Sequence, residues 1–147
     1  MSTLITPTVY PQIRAALGVL VDANLVPDPI IAMDLFAGRA QTWIEETDPD
    51  WATRTGADRQ HLVLAGVLRC AGLLAAAMPN ITAETFGAEY SYSGKAPDWE
   101  ARSAGLLADA ETEIQTVLSD ADTALTASMP TLFTVARPYT GGGGRGR

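Results

Sequence analysis

An apolar run of seventeen residues, LVLAGVLRCAGLLAAAM, occupies positions 62–78 and constrains the fold more than any other feature. It predicts a helix from about Arg59 to Met78, with Asp58 as its cap and Pro79-Asn80 as its terminator. Arg69 lies near the centre of the run, where an arginine in a membrane span costs about 2.5 to 3.5 kcal/mol. Because the predicted helix is apolar on nearly every side, we interpret it as the buried central helix of a bundle rather than as a membrane span.

Three further segments place apolar residues at helical spacing and begin with a capping residue or a proline. They run from Thr6 to Gly18, from Asp28-Pro29 to the turn at Asp48, and from Asp98 to about Leu118. In the second segment the predicted buried face holds Ile30, Met33, Ala37, Ala40 and Ile44. The sequence therefore predicts an all-α fold, a small bundle of about four helices in which the second and fourth cover the third.

A short segment of different character separates the two longest predicted helices. Residues 82–94 read TAETFGAEYSYSG, and the alternation after Gly87 predicts a β-strand or hairpin insert. Tyr90 and Tyr92 would then project to the same side of the strand. They either close over the bundle or contact another subunit, since tyrosine is enriched in the cores of protein interfaces.

The helical pattern decays after Leu118, so we predict a helical domain over residues 1–118 and an extended C-terminal arm over 119–147. The arm holds a β-prone apolar run, Leu132 to Val135, and then four consecutive glycines that cannot support a packed core. Charge divides in the same region, because residues 1–122 hold all 17 acidic residues and seven of the 10 basic ones, a net charge of −10. A basic arm on an acidic body suggests contact with another molecule or with the acidic face of a neighbouring copy.

Residue types that carry catalysis or bind metals are sparse. His61 and Cys70 are the only histidine and cysteine, and they stand nine residues apart on one predicted helix with no other soft ligand. We interpret them as a surface or helix-end histidine and a buried thiol. Three carboxylate pairs fall at helix ends or on faces predicted to be exposed, which is typical of solvated side chains: Glu45/Glu46, Asp48/Asp50 and Glu111/Glu113. We expect no enzymatic activity, no metal and no cofactor.

The order of these features resembles the small head-tail connector, or adaptor, proteins of long-tailed bacteriophages. The resemblance covers roughly residues 4–118 and includes the segment DPIIAMDLFAGRAQTWIE and the PDW that opens the last helix. Most of the resemblance lies in the insert at residues 82–94, because in such proteins an apolar helix is often followed by a Glu-x-x-Gly segment and a serine- and tyrosine-rich strand. Here those positions are held by Glu84, Gly87, Tyr90, Ser91 and Tyr92.

The resemblance implies a structural protein of the virion neck, synthesised in the host bacterial cytoplasm. Its partners would be further copies in a ring of about twelve subunits, the portal protein, and head-closure (stopper) or tail proteins. Genome DNA would pass through the lumen without sequence-specific binding, and no membrane would be involved. The predicted interface residues are Glu84, Gly87, Tyr90, Tyr92, Leu132, Phe133, Val135 and Arg137. A monomeric or dimeric helical regulator or ligand-binding bundle with a disordered tail is the alternative from another class.

Overall fold

A computed structural model describes residues 3–86 and 97–128, with side chains from 3 to 82 and from 97 to 122. The described residues form five α-helices and contain no strand, which confirms the all-α prediction. The helices are α1 Tyr10–Leu17, α2 Asp28–Ile31, α3 Arg39–Thr47, α4 Gly56–Phe86 and α5 Trp99–Ser128. Short turns precede three of these helices. The 3-10 turn Pro7–Val9 leads into α1, and the π-helical turn Asp34–Gly38 leads into α3. A second 3-10 turn, Trp51–Thr53, precedes α4.

The central position of α4 is confirmed, because α1, α3 and α5 all pack against it. Its inward side chains are small or aliphatic, and several of them, including Leu62, Ala71, Leu74 and Met78, are completely buried. Burial of this apolar surface is the main stabilising contribution to such a bundle. The two long helices α4 and α5 form the scaffold on which the shorter N-terminal elements lie.

The prediction that Pro79-Asn80 terminates the central helix is wrong. Pro79 lies within α4, which continues to Phe86. The proline side chain is exposed, while Ile81 and Thr82 beyond it are buried. Tertiary packing of the following turn thus outweighs the loss of one backbone hydrogen bond at the proline. Residues 82–86 of the predicted insert are therefore helical, whereas the predicted strand itself lies outside the described residues.

The single helix predicted from Asp28 is interrupted at Met33, whose backbone is extended at φ −60° and ψ 143°. Met33 is exposed instead of facing the core, and Phe36 is buried in its place. The π-helical turn that follows shifts the register so that Ala37, Ala40 and Ile44 still face inward. Burial of the larger aromatic side chain accounts for the break.

Helix α5 begins where the sequence predicts and ends later. The Asp98 carboxylate accepts a hydrogen bond from the backbone N–H of Ala101 at 3.0 Å, which confirms the predicted cap. Leu106, Ala110, Ile114 and Val117 are buried on the face towards α4. The helix continues through Ser128, because residues 119–128 contain no glycine or proline and several good helix formers. The predicted start of the arm at residue 119 therefore falls inside α5.

Glycines allow two close contacts of α4 with its neighbours. A Cβ built on Gly66 would lie 2.5 Å from Cδ1 of Ile5 and 2.9 Å from Cδ1 of Ile44. A Cβ on Gly72 would lie 2.7 Å from Cδ2 of Leu107 on α5. The absence of a side chain at these two glycines therefore lets Ile5 and Ile44 on one side, and Leu107 of α5 on the other, pack closely on α4.

Candidate interaction surface

The eight interface residues predicted from the sequence lie almost entirely outside the described residues. Only the backbone of Glu84 is described, and it belongs to the last turns of α4. The other seven, Gly87, Tyr90, Tyr92, Leu132, Phe133, Val135 and Arg137, are not described. Their roles stay predictions.

The described residues contain a different candidate site, a hollow of about 340 Å³ between α3 and α4, which we call the arginine hollow. It is lined by Arg39, Thr42, Trp43 and Glu46 of α3 and by Arg69 and Leu73 of α4. Residues three and four apart share one face of a helix, so each helix contributes one stripe of side chains to the hollow. The site follows from the packing of α3 on α4.

Arg69 is the central side chain of the arginine hollow. Its guanidinium carbon lies 4.9 Å from the centre of the Trp43 ring, within the range of a cation–π interaction. Its Nε is buried and has no hydrogen-bond acceptor among the described residues. No carboxylate of the described chain lies within 4 Å of it. A buried donor without an acceptor is costly, and Arg69 as a whole is only half-buried, so the rest of its guanidinium group is accessible to a partner.

The charge of the arginine hollow contrasts with that of the protein. The chain has a net charge of −7, yet the hollow combines two arginines with one glutamate. Arg39, Thr42 and Glu46 are exposed, so the hollow is open to a partner. Guanidinium groups bind carboxylates and phosphates through paired hydrogen bonds, and the indole and Leu73 offer apolar contact beside them. The arrangement can bind an acidic group that is carried on an apolar stem.

A second hollow, of about 480 Å³, lies further along α4, towards α5. Ala76 and Pro79 of α4 and Trp99, Ala104 and Leu107 of α5 contribute to its lining. Ala76 follows Leu73 by three residues, so the α4 residues of the two hollows share one face of the helix. The surface available to a partner therefore extends along α4 from the arginine hollow.

Large apolar side chains are exposed at other points of the described surface. Val19 and Leu20 follow α1, Met33 and Leu35 lie at the break before α3, and Leu64 lies on α4. Val19 is fully exposed. Single exposed apolar residues are ordinary, but adjacent ones such as Val19 and Leu20 are typical of surfaces that another chain covers. None of these positions was predicted as an interaction surface, and Met33 was predicted to be buried.

For the pair Asp48/Asp50, the predicted solvation is wrong for Asp48, whereas Asp50 is exposed. The Asp48 side chain is buried, and its two oxygens accept hydrogen bonds from Nε and Nη2 of Arg54 at 2.9 and 3.0 Å. The hydrogen bond to Asp48 raises the pKa of the Arg54 guanidinium. Arg54 lies only six residues beyond Asp48 and closes the loop between α3 and α4, so the pair holds the two helices that form the arginine hollow.

Histidine and cysteine occupy separate environments. Nδ1 of His61 lies 2.7 Å from a carboxylate oxygen of Glu113, a contact that joins α4 to α5. The Cys70 thiol is completely buried, as predicted, and burial raises its pKa to about 12. No group of three or more potential metal ligands occurs among the described residues.

Helix α4 is long and apolar enough to cross a membrane by length and composition, over Gly56–Thr82. Such a pattern is also found in core helices of soluble proteins, and 56% of its most apolar window is buried inside the protein. The buried residues belong to the core that α4 shares with α1, α3 and α5. Its length and hydropathy are therefore explained by the bundle.

Comparison of the chain with protein-family models, with curated proteins and with solved structures finds no match. A function is therefore inferred from the chemistry of the described surface and from the resemblance of the sequence to head-tail connector proteins.

Proposed function

We propose that this protein is a structural component of a bacteriophage virion, a head-tail connector that forms a ring between the portal and the head-closure or tail proteins. The structural support is that Arg69 of the central helix stacks on Trp43 of α3 in an open hollow, and that the buried Nε of Arg69 has no acceptor among the described residues. Arginine and tryptophan are the residue types most enriched among the energetic centres of protein interfaces. Assembly with another protein supplies what this surface lacks.

The charge of the protein supports the same proposal. With 17 acidic and 10 basic residues, the chain repels the phosphate backbone. A subunit that lines a DNA passage must let DNA move through without holding it, and a negative surface favours that behaviour. The predicted interface residues of the insert and of the arm belong to this proposal, in which they contact the portal or neighbouring subunits. No catalytic step is part of it.

Native mass spectrometry of the purified protein, alone and mixed with purified portal, tests the proposal. We expect a closed oligomer of about twelve subunits, formed in solution or on the portal, and negative-stain images that show a ring. The alternative, a helical regulator or ligand-binding bundle, predicts a monomer or dimer that does not bind portal. That second result would remove the connector proposal.

A further inference from the structure

The arginine hollow brings two arginines together beside a single glutamate. Arg14 pairs with Asp28, and Arg54 pairs with Asp48. Neither Arg39 nor Arg69 forms such a pair among the described residues, although Glu46 lies in the same hollow. The buried Nε of Arg69 has no hydrogen-bond acceptor among the described residues. The exposed Arg39 and the accessible part of the half-buried Arg69 therefore offer unpaired positive charge to another molecule.

The outer face of α5 has the complementary chemistry. Glu111 and Asp120 are exposed and line a shallow hollow of about 710 Å³, together with small and polar side chains of the same helix. Neither carboxylate has an ion-pair partner among the described residues. Small neighbours such as Ala108 and Thr112 leave room for a bulky side chain to approach the carboxylates. This face can accept a surface that presents arginine and an aromatic ring.

The arginine hollow lies between α3 and α4, whereas the acidic face lies on α5, which packs on α4. A head-to-tail contact, the kind that generates a ring, requires two different faces of the same chain that are complementary to each other. Opposite charge on the two faces satisfies this requirement and also disfavours contact between two identical faces. A second copy of the chain is therefore the partner that the charges fit.

We propose that the α5 face of one copy docks on the arginine hollow of the next, with the carboxylates of Glu111 and Asp120 meeting Arg39 and Arg69. This inference rests on the proposed ring and names the contact that builds it. Trp43 and Leu73 then pack beside the bound carboxylates and exclude water from them. Exclusion of water strengthens the charged hydrogen bonds.

Charge reversal tests the contact, because Arg39, Glu111 and Asp120 are all exposed and tolerate substitution without disturbing the core. In sedimentation velocity, Arg39→Glu is expected to weaken self-association by about tenfold or more. The double variant Glu111→Arg with Asp120→Arg is expected to do the same. Combining all three substitutions is expected to restore association to within about threefold of the original, because the charges then complement each other again.

Arg59→Glu is the matched control. It makes the same change of charge on α4 outside the arginine hollow, and Arg59 forms no ion pair among the described residues. Its effect on association is expected to be less than about twofold. A second variant, Arg69→Lys, keeps the charge but loses the planar guanidinium group that forms paired hydrogen bonds with a carboxylate. It is expected to weaken association. Thermal unfolding checks that the variant subunit is folded.

Any one of three results with the variants would overturn the inference. In the first, Arg39→Glu affects self-association no more than Arg59→Glu does. In the second, the combined variant does not regain the self-association of the original protein. In the third, Arg39→Glu weakens binding to portal and leaves self-association unchanged. A wild-type protein that binds portal as isolated single subunits also overturns it and leaves the connector function standing. A wild-type protein that neither self-associates nor binds portal contradicts the connector function itself.

Discussion

At the scale of single residues, the pair of Asp48 and Arg54 is the clearest case in which local chemistry determines local structure. Asp48 is the one buried carboxylate side chain among the described residues, and its oxygens accept two hydrogen bonds from Arg54. One of them also accepts the backbone N–H of Asp50 at 3.3 Å. A charge removed from water is tolerated only when it is paired in this way. The pair therefore holds the loop that connects α3 to α4.

Replacing Arg54 by alanine is expected to reduce the free energy of unfolding by about 3 kcal/mol, because the substitution leaves the Asp48 carboxylate buried without its partner. Urea denaturation followed by circular dichroism measures the change. Arg59→Ala removes an arginine that forms no ion pair among the described residues and is expected to change stability by less than about 0.5 kcal/mol. Equal effects of the two substitutions would show that the ion pair does not stabilise the loop.

The thiol of Cys70 leads to a second prediction. Thiolate is the reactive form of cysteine, and burial raises the pKa of this thiol from 9.0 to about 12. At pH 8 the folded protein is therefore expected to react with an aromatic disulfide reagent far more slowly than the denatured protein, in which the thiol is exposed. Absorbance of the released thiolate reports the rate. Complete labelling within the mixing time under native conditions would contradict the burial of Cys70.

At the scale of elements, some boundaries were predictable and others were not. The cap at Asp98 and the apolar stripe of α5 are local patterns, so the sequence predicts them correctly. The passage of α4 beyond Pro79 depends on Ile81 and Thr82 packing into the core, and the break at Met33 depends on the burial of Phe36. Both outcomes are decided by tertiary contacts, which outweigh local propensity.

Two glycines provide a matched test of the packing between α4 and α5. Gly72→Ala places a methyl group against Leu107 and is expected to destabilise the protein by about 1 to 3 kcal/mol. Gly105→Ala, on the exposed side of α5, meets nothing within 4 Å and is expected to stabilise it by up to about 1 kcal/mol through helix propensity. Urea denaturation of both variants measures the difference. A stabilising Gly72→Ala substitution would show that α4 and α5 are not in close contact at this point.

At the scale of the whole molecule, the candidate surface was only partly predictable. Arg69 stands out in an apolar run, but the sequence indicates only that it opposes membrane insertion. Its meeting with Trp43 and Arg39 depends on how α3 packs across α4, and no short-range pattern predicts contacts between residues so far apart in the chain. The predicted interface residues come instead from the resemblance and lie on the insert and the arm.

The arm has its own test, a chain that ends after Ser128. This variant keeps all of α5, so we expect it to fold and to remain soluble. We also expect it to bind portal poorly, because it lacks Leu132, Phe133 and Val135, an apolar run that a partner would cover. Removal of residues 141–147 alone deletes two arginines and no apolar side chain, so its effect on binding should be smaller and more sensitive to salt. Full portal affinity of the shorter chain would exclude docking of the arm there.

In the proposed function, many copies of this protein assemble as a ring on a portal. A cryo-electron microscopy map of the protein bound to purified portal tests it most directly. We expect a ring of about twelve copies coaxial with the portal, with the arginine hollow of each copy facing the acidic α5 face of the next. Portal particles without added density, at protein concentrations that leave the helical subunit folded, would contradict it.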